Sequence, residues 1–248
     1  MRLNQWLYTG LCLLTALSAT AGDWEASLSL ESSWYPSDNQ TEGANHDSNF
    51  SAAGTLSRSW SGKNHLFDLK LFNRTDEHDP NRSHMDVREA LLTYVSGNLE
   101  LQLGNGRVFW GVTEAVHVVD IINQTDQVES IDGEDKLGQP MLAANWYSAL
   151  GDFSVYVLPY FKARTYASET GRPQLPVNVY EPDAQYEHKD GTEHTDLALR
   201  WKHYWGPVDI GLSAFKGTGR EPRLVPCYRS NTSRANADGS SADTPDCD

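Results

Sequence analysis

Between Val112 and Lys136 the chain carries seven acids, Glu114, Asp120, Asp126, Glu129, Asp132, Glu134 and Asp135, together with His117. Carboxylates at this density can ligate a cation, assist hydrolysis or set the field across a passage. Asp132-Gly133-Glu134-Asp135 offers oxygen ligands of the kind calcium takes, but the acid spacing of an EF-hand loop is missing. His117 has no second His or Cys at ligand spacing, which argues against zinc. No Gly-X-Ser-X-Gly elbow is present, and scattered Ser and His residues cannot be assigned as a triad. No catalytic residue, metal or cofactor is therefore expected. The acids are interleaved with Val116, Val118, Val119, Ile121 and Ile122, and a long connection with its own apolar residues does not float freely in water. Segment 111–137 is thus read either as folding inward as a constriction or plug, with Arg107, Glu114 and Asp120 against charged strand faces, or as an acidic surface loop.

The elements that would position this segment are strands. Trp24, Ala26, Leu28, Leu30 and Trp34 alternate with Glu25, Ser27, Ser29, Glu31 and Ser33, a period-2 run about as long as one tilted membrane crossing. The same alternation returns in Phe67, Leu69 and Leu71 against Asp68, Lys70 and Arg74, in Leu99, Leu101 and Leu103 against Glu100 and Gln102, in Phe153, Val155 and Val157, and in Leu197, Leu199 and Trp201 against Arg200 and Lys202. Segments 49–60, 84–96, 139–150 and 207–217 are less tidy but rich in β-formers. Nine strands are expected. Short turns such as 61–64, 96–98, 150–152 and 205–207 join some of them, and long polar connections at 36–48, 76–83 and 167–191 join others. Short turns at one rim and long loops at the other, with Trp and Tyr ending the apolar faces, is the pattern of an outer-membrane barrel.

Lys and Arg number 20 against 34 Asp and Glu, a net charge of -14, so a nucleic-acid partner is excluded. Hydrophobic residues are 39% and mean hydropathy is -0.56, which is compatible with a transmembrane barrel because only every second residue meets lipid. Residues 1–21 read as an export signal: Arg2, an apolar core from Leu7 to Leu17, and Ala19-Thr20-Ala21 ahead of Gly22. Cys227 and Cys247 could staple only the tail.

Asp86-Val87-Arg88-Glu89-Ala90, Gly106-Arg107-Val108-Phe109-Trp110-Gly111-Val112-Thr113-Glu114, Val119 to Asp126, Lys136 to Met141, Val157 to Phe161 and Gly217 to Pro222 together resemble a family of uncharacterised porin-like outer-membrane β-barrels of Gram-negative bacteria, over roughly residues 85–222. The resemblance implies an outer-membrane location and handling by the barrel-assembly machinery, which recognises a C-terminal aromatic strand in such proteins. Here the pattern instead collapses after Pro226 into a Ser, Asn and Asp-rich stretch. A segment of that composition cannot bury an apolar face. Either the barrel is truncated or frameshifted, or residues 227–248 form an extracellular loop with strands to follow.

The expectation is accordingly an all-β, up-and-down antiparallel transmembrane β-barrel, incomplete in this chain. It comprises a signal peptide over 1–21, barrel strands over 22–219 with 111–137 folded inward, and a disordered or aberrant tail over 220–248. Its function would be passive diffusion of small polar or cationic solutes, with outer-membrane lipid as its surroundings and no chemistry performed. Residues expected to line the pore or its constriction are Arg107, Glu114, Asp120, Asn123, Asp126, Glu129, Asp132, Asp68, Lys70, Arg74, Glu100 and Arg200. The competing readings are a secreted or periplasmic β-sandwich that binds carbohydrate through exposed Trp and Tyr, and a barrel-embedded hydrolase.

Overall fold

The computed structural model describes residues 11–21, 23–35, 44, 46–110, 120–130, 133–173, 179 and 184–225. Its strands are β1 (Leu11–Ala21), β2 (Trp24–Trp34), β3 (Ser48–Ser61), β4 (His65–Asp76), β5 (His84–Ser96), β6 (Leu99–Gly106), β7 (Gln139–Ser148), β8 (Gly151–Leu158), β9 (Asp196–Trp205) and β10 (Val208–Lys216). Each pairs antiparallel with its neighbour in sequence, giving one ten-stranded sheet in the order β1 to β10. The chain is all-β and runs up and down as expected, and the nine expected strands are β2 to β10. The sheet does not close on itself: β1 and β10 are its two edges. No second sheet packs on this one among the described residues, so the two facing sheets that a sandwich requires are not formed.

The tenth strand is a difference from the sequence reading. The apolar run read as an export signal stands here as β1, with Ala21 opposite Trp24 and Leu11 opposite Trp34. An exposed edge on β2 leaves a row of N–H and C=O groups to satisfy, and the run immediately upstream reaches them through a two-residue connection. Residues 1–10 lie outside the described part.

Connections at 23, 62–64, 97–98, 149–150 and 206–207 fall on one rim, and those at 35–47, 77–83, 107–138 and 159–195 on the other. Two-residue hairpins need a backbone twist that positive φ supplies. Gly97 and Gly206, both at φ 58°, provide it.

Paired residues of an antiparallel ladder share a face, so the register separates two faces across the sheet. One carries Trp24, Leu28, Leu56, Trp60, Phe67, Leu69, Leu92, Leu101, Leu103, Leu142, Trp146, Phe153, Val155, Leu199, Trp201 and Leu212. The other carries Glu31, Ser51, Arg74, Glu100, Asn145, Ser154 and Arg200. Burial runs opposite to that of a water-soluble sheet. Leu103, Leu199 and Leu212 are 59%, 52% and 62% exposed, whereas Ser51, Asn145 and Asp196 are 3%, 8% and 1% exposed. A small apolar cluster does form, but on the polar side, where Trp110 and Ile122 of the connection between β6 and β7 pack on Leu91, Met141, Ala143, Tyr156, Leu158 and Ala198.

Strand β5 holds the one irregularity of pairing among the described strands. Lys70 pairs with Glu89 but Leu71 pairs with Val87, which leaves Arg88 as the extra residue of a β-bulge. Strict alternation from Leu92 and Ala90 would have set Arg88 and Asp86 among the leucines. The bulge reverses the phase, so that Val87 and Met85 continue the apolar face.

Candidate functional site

At the long-connection rim, residues 107–110, 120–130 and 133–138 of the connection between β6 and β7 lie against the polar face. Asn123 ties the segment to its own ends: its carbonyl oxygen accepts the Val108 N–H at 2.8 Å, and its amide donates to the carbonyls of Gly106 at 2.9 Å and Leu137 at 2.8 Å. Residues 124–126 and 135–137 form a short ladder, with Leu137 N donating to Gln124 O and Asp126 N to Asp135 O. Asp120 accepts the Trp110 N–H at 2.6 Å.

Two acids then reach the sheet. Glu129 receives both its oxygens' bonds from Arg74 Nε, at 3.1 and 2.8 Å, and lies 3.6 Å from His84 Nε2. Asp126 meets Arg88 Nη1 at 2.7 Å, while the Arg88 guanidinium lies 4.3 Å from the centre of the Phe72 ring. The bulge is what gives Arg88 this position. Arg74 also donates to Glu31 at 3.0 Å and Ser51 at 2.8 Å, and Arg82 bridges Glu31 at 2.9 Å and Asp76 at 3.0 Å. Asn49 donates to Asp76 at 2.9 Å, and Lys162 to Asp86 at 2.6 Å. Five carboxylates thus meet four cations on the polar face, in two groups of ion pairs joined by the Glu129 N–H to Asp126.

A second anchor comes from beyond β10. Arg220, 7% exposed, donates to the Ile122 carbonyl from Nε at 3.1 Å and Nη2 at 3.0 Å, to Asp196 at 2.7 Å and to Thr218 O at 2.6 Å. Its guanidinium lies near the Phe161 and Phe215 rings, at 5.0 and 5.2 Å. Arg164 adds Gln124 Oε1 at 3.1 Å. Arg220, expected to open the tail, has buried partners; residues 226–248, with Cys227 and Cys247, lie outside the described part.

Electrostatics follow from this crowding. Burial pushes the Glu129 carboxyl up, with Asp126 adding to the shift and Arg74, Arg82 and His84 opposing it. Burial works against the Arg82 charge, yet Glu31, Asp76 and Glu129 together raise its guanidinium above the ordinary value. Burial lowers Arg220, with Asp196 opposing.

Of the residues expected from sequence, Asn123, Asp126 and Glu129 are brought to the polar face of the sheet with Arg74. Asp120 accepts the N–H that Trp110 presents ten residues earlier in the same connection. Arg107 sits half-buried where that connection leaves β6. Asp68, Lys70, Glu100 and Arg200 all lie on the polar face: Ser59 donates to Asp68, Asn145 to Glu100 at 3.0 Å, and Arg200 to the Trp110 carbonyl at 2.8 Å. Glu114 and Asp132, like His117, lie outside the described residues. Sequence reasoning passed over Arg82, Arg88, Asp76, Asp86 and Arg220 as site residues. The signal for Arg88 was its neighbour: two adjacent charges, Arg88-Glu89, fit neither phase of an alternating strand. Compared with protein-family models, curated proteins and solved structures, the chain matches none of them.

Proposed function

We propose that the chain forms the wall of a porin-like outer-membrane channel through which small polar or cationic solutes diffuse passively. The observation that carries this reading is the inverted burial of the sheet: a continuous exposed apolar face backed by a more buried polar one. Water does not support an exposed apolar patch of this extent on a monomer, whereas lipid does. Aromatic rings along the turn rim add to it. Trp24, Trp60 and Phe67 sit 5.7 and 5.5 Å apart in succession, and Trp146, Phe153 and Trp201 at 5.7 and 6.5 Å, as an interfacial girdle requires. The resemblance of residues 85–222 to porin-like barrels supports the same reading.

In this reading the polar face lines the lumen and segment 107–138 narrows it near the outer mouth. Selectivity comes from fixed charge, with no bond made or broken. Asp126 and Glu129 are matched by Arg88 and Arg74, so they hold the constriction in place. Any preference for cations arises from the acid excess of the whole chain, -14 at pH 7, whose field concentrates cations at the mouth.

The test is fractionation of the full-length protein followed by detergent electrophoresis with and without heating, and conductance in planar bilayers. An outer-membrane protein with a heat-shifted band and ohmic conductance is expected. A soluble, unshifted protein with no conductance refutes the reading.

A further inference from the structure

Arg58 interrupts the apolar face. Its register places it opposite Trp24 on β2 and Leu69 on β4, hence on the same side of the sheet as the leucines and level with the aromatic rings of the turn rim. Its guanidinium carbon lies 5.2 Å from the centre of the Trp24 ring and 4.8 Å from that of Trp60, and the two indoles meet edge to face at 5.7 Å. One Nη2 contact runs to Asp23 at 3.2 Å, but that carboxylate is 77% exposed. The Arg58 Nε is buried without a hydrogen-bond partner.

A cation at the centre of a hydrocarbon layer is costly. At the level of the headgroups the same side chain is favourable, because its stem covers apolar surface while its head meets polar groups. Two indole faces hold this guanidinium in place and desolvate its flanks, which strengthens whatever it pairs with. The planar fork of an arginine matches a phosphate with two parallel N–H bonds. An exposed single contact to Asp23 competes only weakly with a phosphate held beside it by its own acyl chains.

Resting on the membrane reading above, we propose that Arg58, clasped between Trp24 and Trp60, is a binding site for the phosphate of a phospholipid headgroup in the leaflet at the turn rim. The acyl chains of that lipid lie along Leu56, Leu69 and Leu71, its neighbours on the same face. Asp23 acts as the competing anion, which occupies the guanidinium when no lipid is present.

The experiment is native mass spectrometry of the full-length protein in a maltoside detergent, with phosphatidylglycerol or diacylglycerol of the same chains added. Wild type should retain phosphatidylglycerol over diacylglycerol. Arg58→Gln should lower that retention about fivefold, the effect of one basic group at an anionic surface, and leave diacylglycerol unchanged. Asp23→Asn should raise phosphatidylglycerol retention, since it removes the competitor without touching the arginine, and it keeps the test decisive should R58Q fail to fold. Equal retention of phosphatidylglycerol by wild type, R58Q and D23N, all with a heat-shifted band, overturns the site while leaving the membrane reading intact. Displacement by inorganic phosphate to the level of R58Q overturns the assignment to lipid. A wild-type protein with no heat shift removes the membrane reading and the site with it.

Discussion

Replacing Arg88 with Met tests whether buried ion pairs hold the in-folded segment. Arg88 Nη1 lies 2.7 Å from Asp126, and the two side chains are 7% and 5% exposed. The other carboxylate near Arg88 is Asp86, at 3.5 Å, which Lys162 already holds at 2.6 Å. Without Arg88, the Asp126 carboxylate keeps the Glu129 N–H at 3.3 Å. Removing one partner of a buried pair costs about 3–5 kcal/mol. Met preserves most of the stem that lies over Phe72, so we take about 3 kcal/mol as the cost of docking. Because Glu129, Asn123 and Arg220 still bind the segment, the loss should appear as local opening and not as global unfolding. The assay is amide hydrogen exchange of residues 124–130 in detergent, in which about 3 kcal/mol corresponds to roughly hundredfold faster exchange. Arg88→Met combined with Asp126→Leu removes both charges and should come back to within about 1 kcal/mol of wild type. If R88M exchanges like wild type, or if the double variant opens as far as the single one, the pair does not anchor the segment.

Glu129 gives a pH dependence. An acid whose value is raised by burial favours docking below its ordinary value near 4.5 and loses that contribution as pH rises through the raised one, so protection corrected for intrinsic rates should fall from pH 4.5 upward in wild type and stay flat in E129Q; identical profiles would count against the buried carboxyl. Neutralising Asp126 and Glu129 together removes two negative charges and leaves Arg74 with Glu31 and Arg88 beside Asp86, so the reversal potential in a salt gradient should move toward anions, and an unchanged potential would remove residues 126 and 129 from the solute path. Arg220→Met takes the guanidinium from Asp196, 1% exposed at its side chain, and leaves it His194 Nδ1 and the Thr218 N–H; it should cost about 3 kcal/mol, read as a lower temperature for loss of the heat-shifted form, and an unshifted temperature contradicts the anchoring role. Gly104 has φ 134°, and a Cβ there would overlap the Ala90 carbonyl oxygen, so G104A should break the pairing of β5 with β6 and raise amide exchange in both strands, and normal protection would show that the backbone can give way.

What could be read in advance follows from which interactions are local. The alternation of β2, β4, β6, β8 and β9 was legible because each strand separates an apolar face from a polar one, and a period of two registers that directly. Which face is covered was not, since the period is the same either way; the exposure of Leu103 and Leu199 beside the burial of Asn145 and Asp196 shows it. The apolar residues among the acids of 111–137 left an inward fold and a surface loop both open; Ile122, 1% exposed, packs against the sheet. The partners of those acids were hidden by distance: Arg74 and Glu129 are 55 residues apart. Arg220 was assigned to a tail on local composition, whereas its place is decided by Ile122, 98 residues away.

If the sheet closes, as the proposed channel requires, the strand directions decide how. Strands β2 and β10 both run from the turn rim to the long-connection rim, so joining them directly would demand a parallel pair in a sheet that is otherwise antiparallel throughout. An open edge is no remedy in lipid, where each unsatisfied backbone group costs several kcal/mol. A strand between them must therefore run the other way, from the long-connection rim to the turn rim. β1 runs in that direction and pairs with β2 along its whole length, and any other strand that takes its place must share its polarity and its register of apolar residues. The membrane reading thus rests on two separable requirements: an apolar face, which β2 to β10 supply themselves, and an even number of strands, which needs β1 or another strand of the same direction.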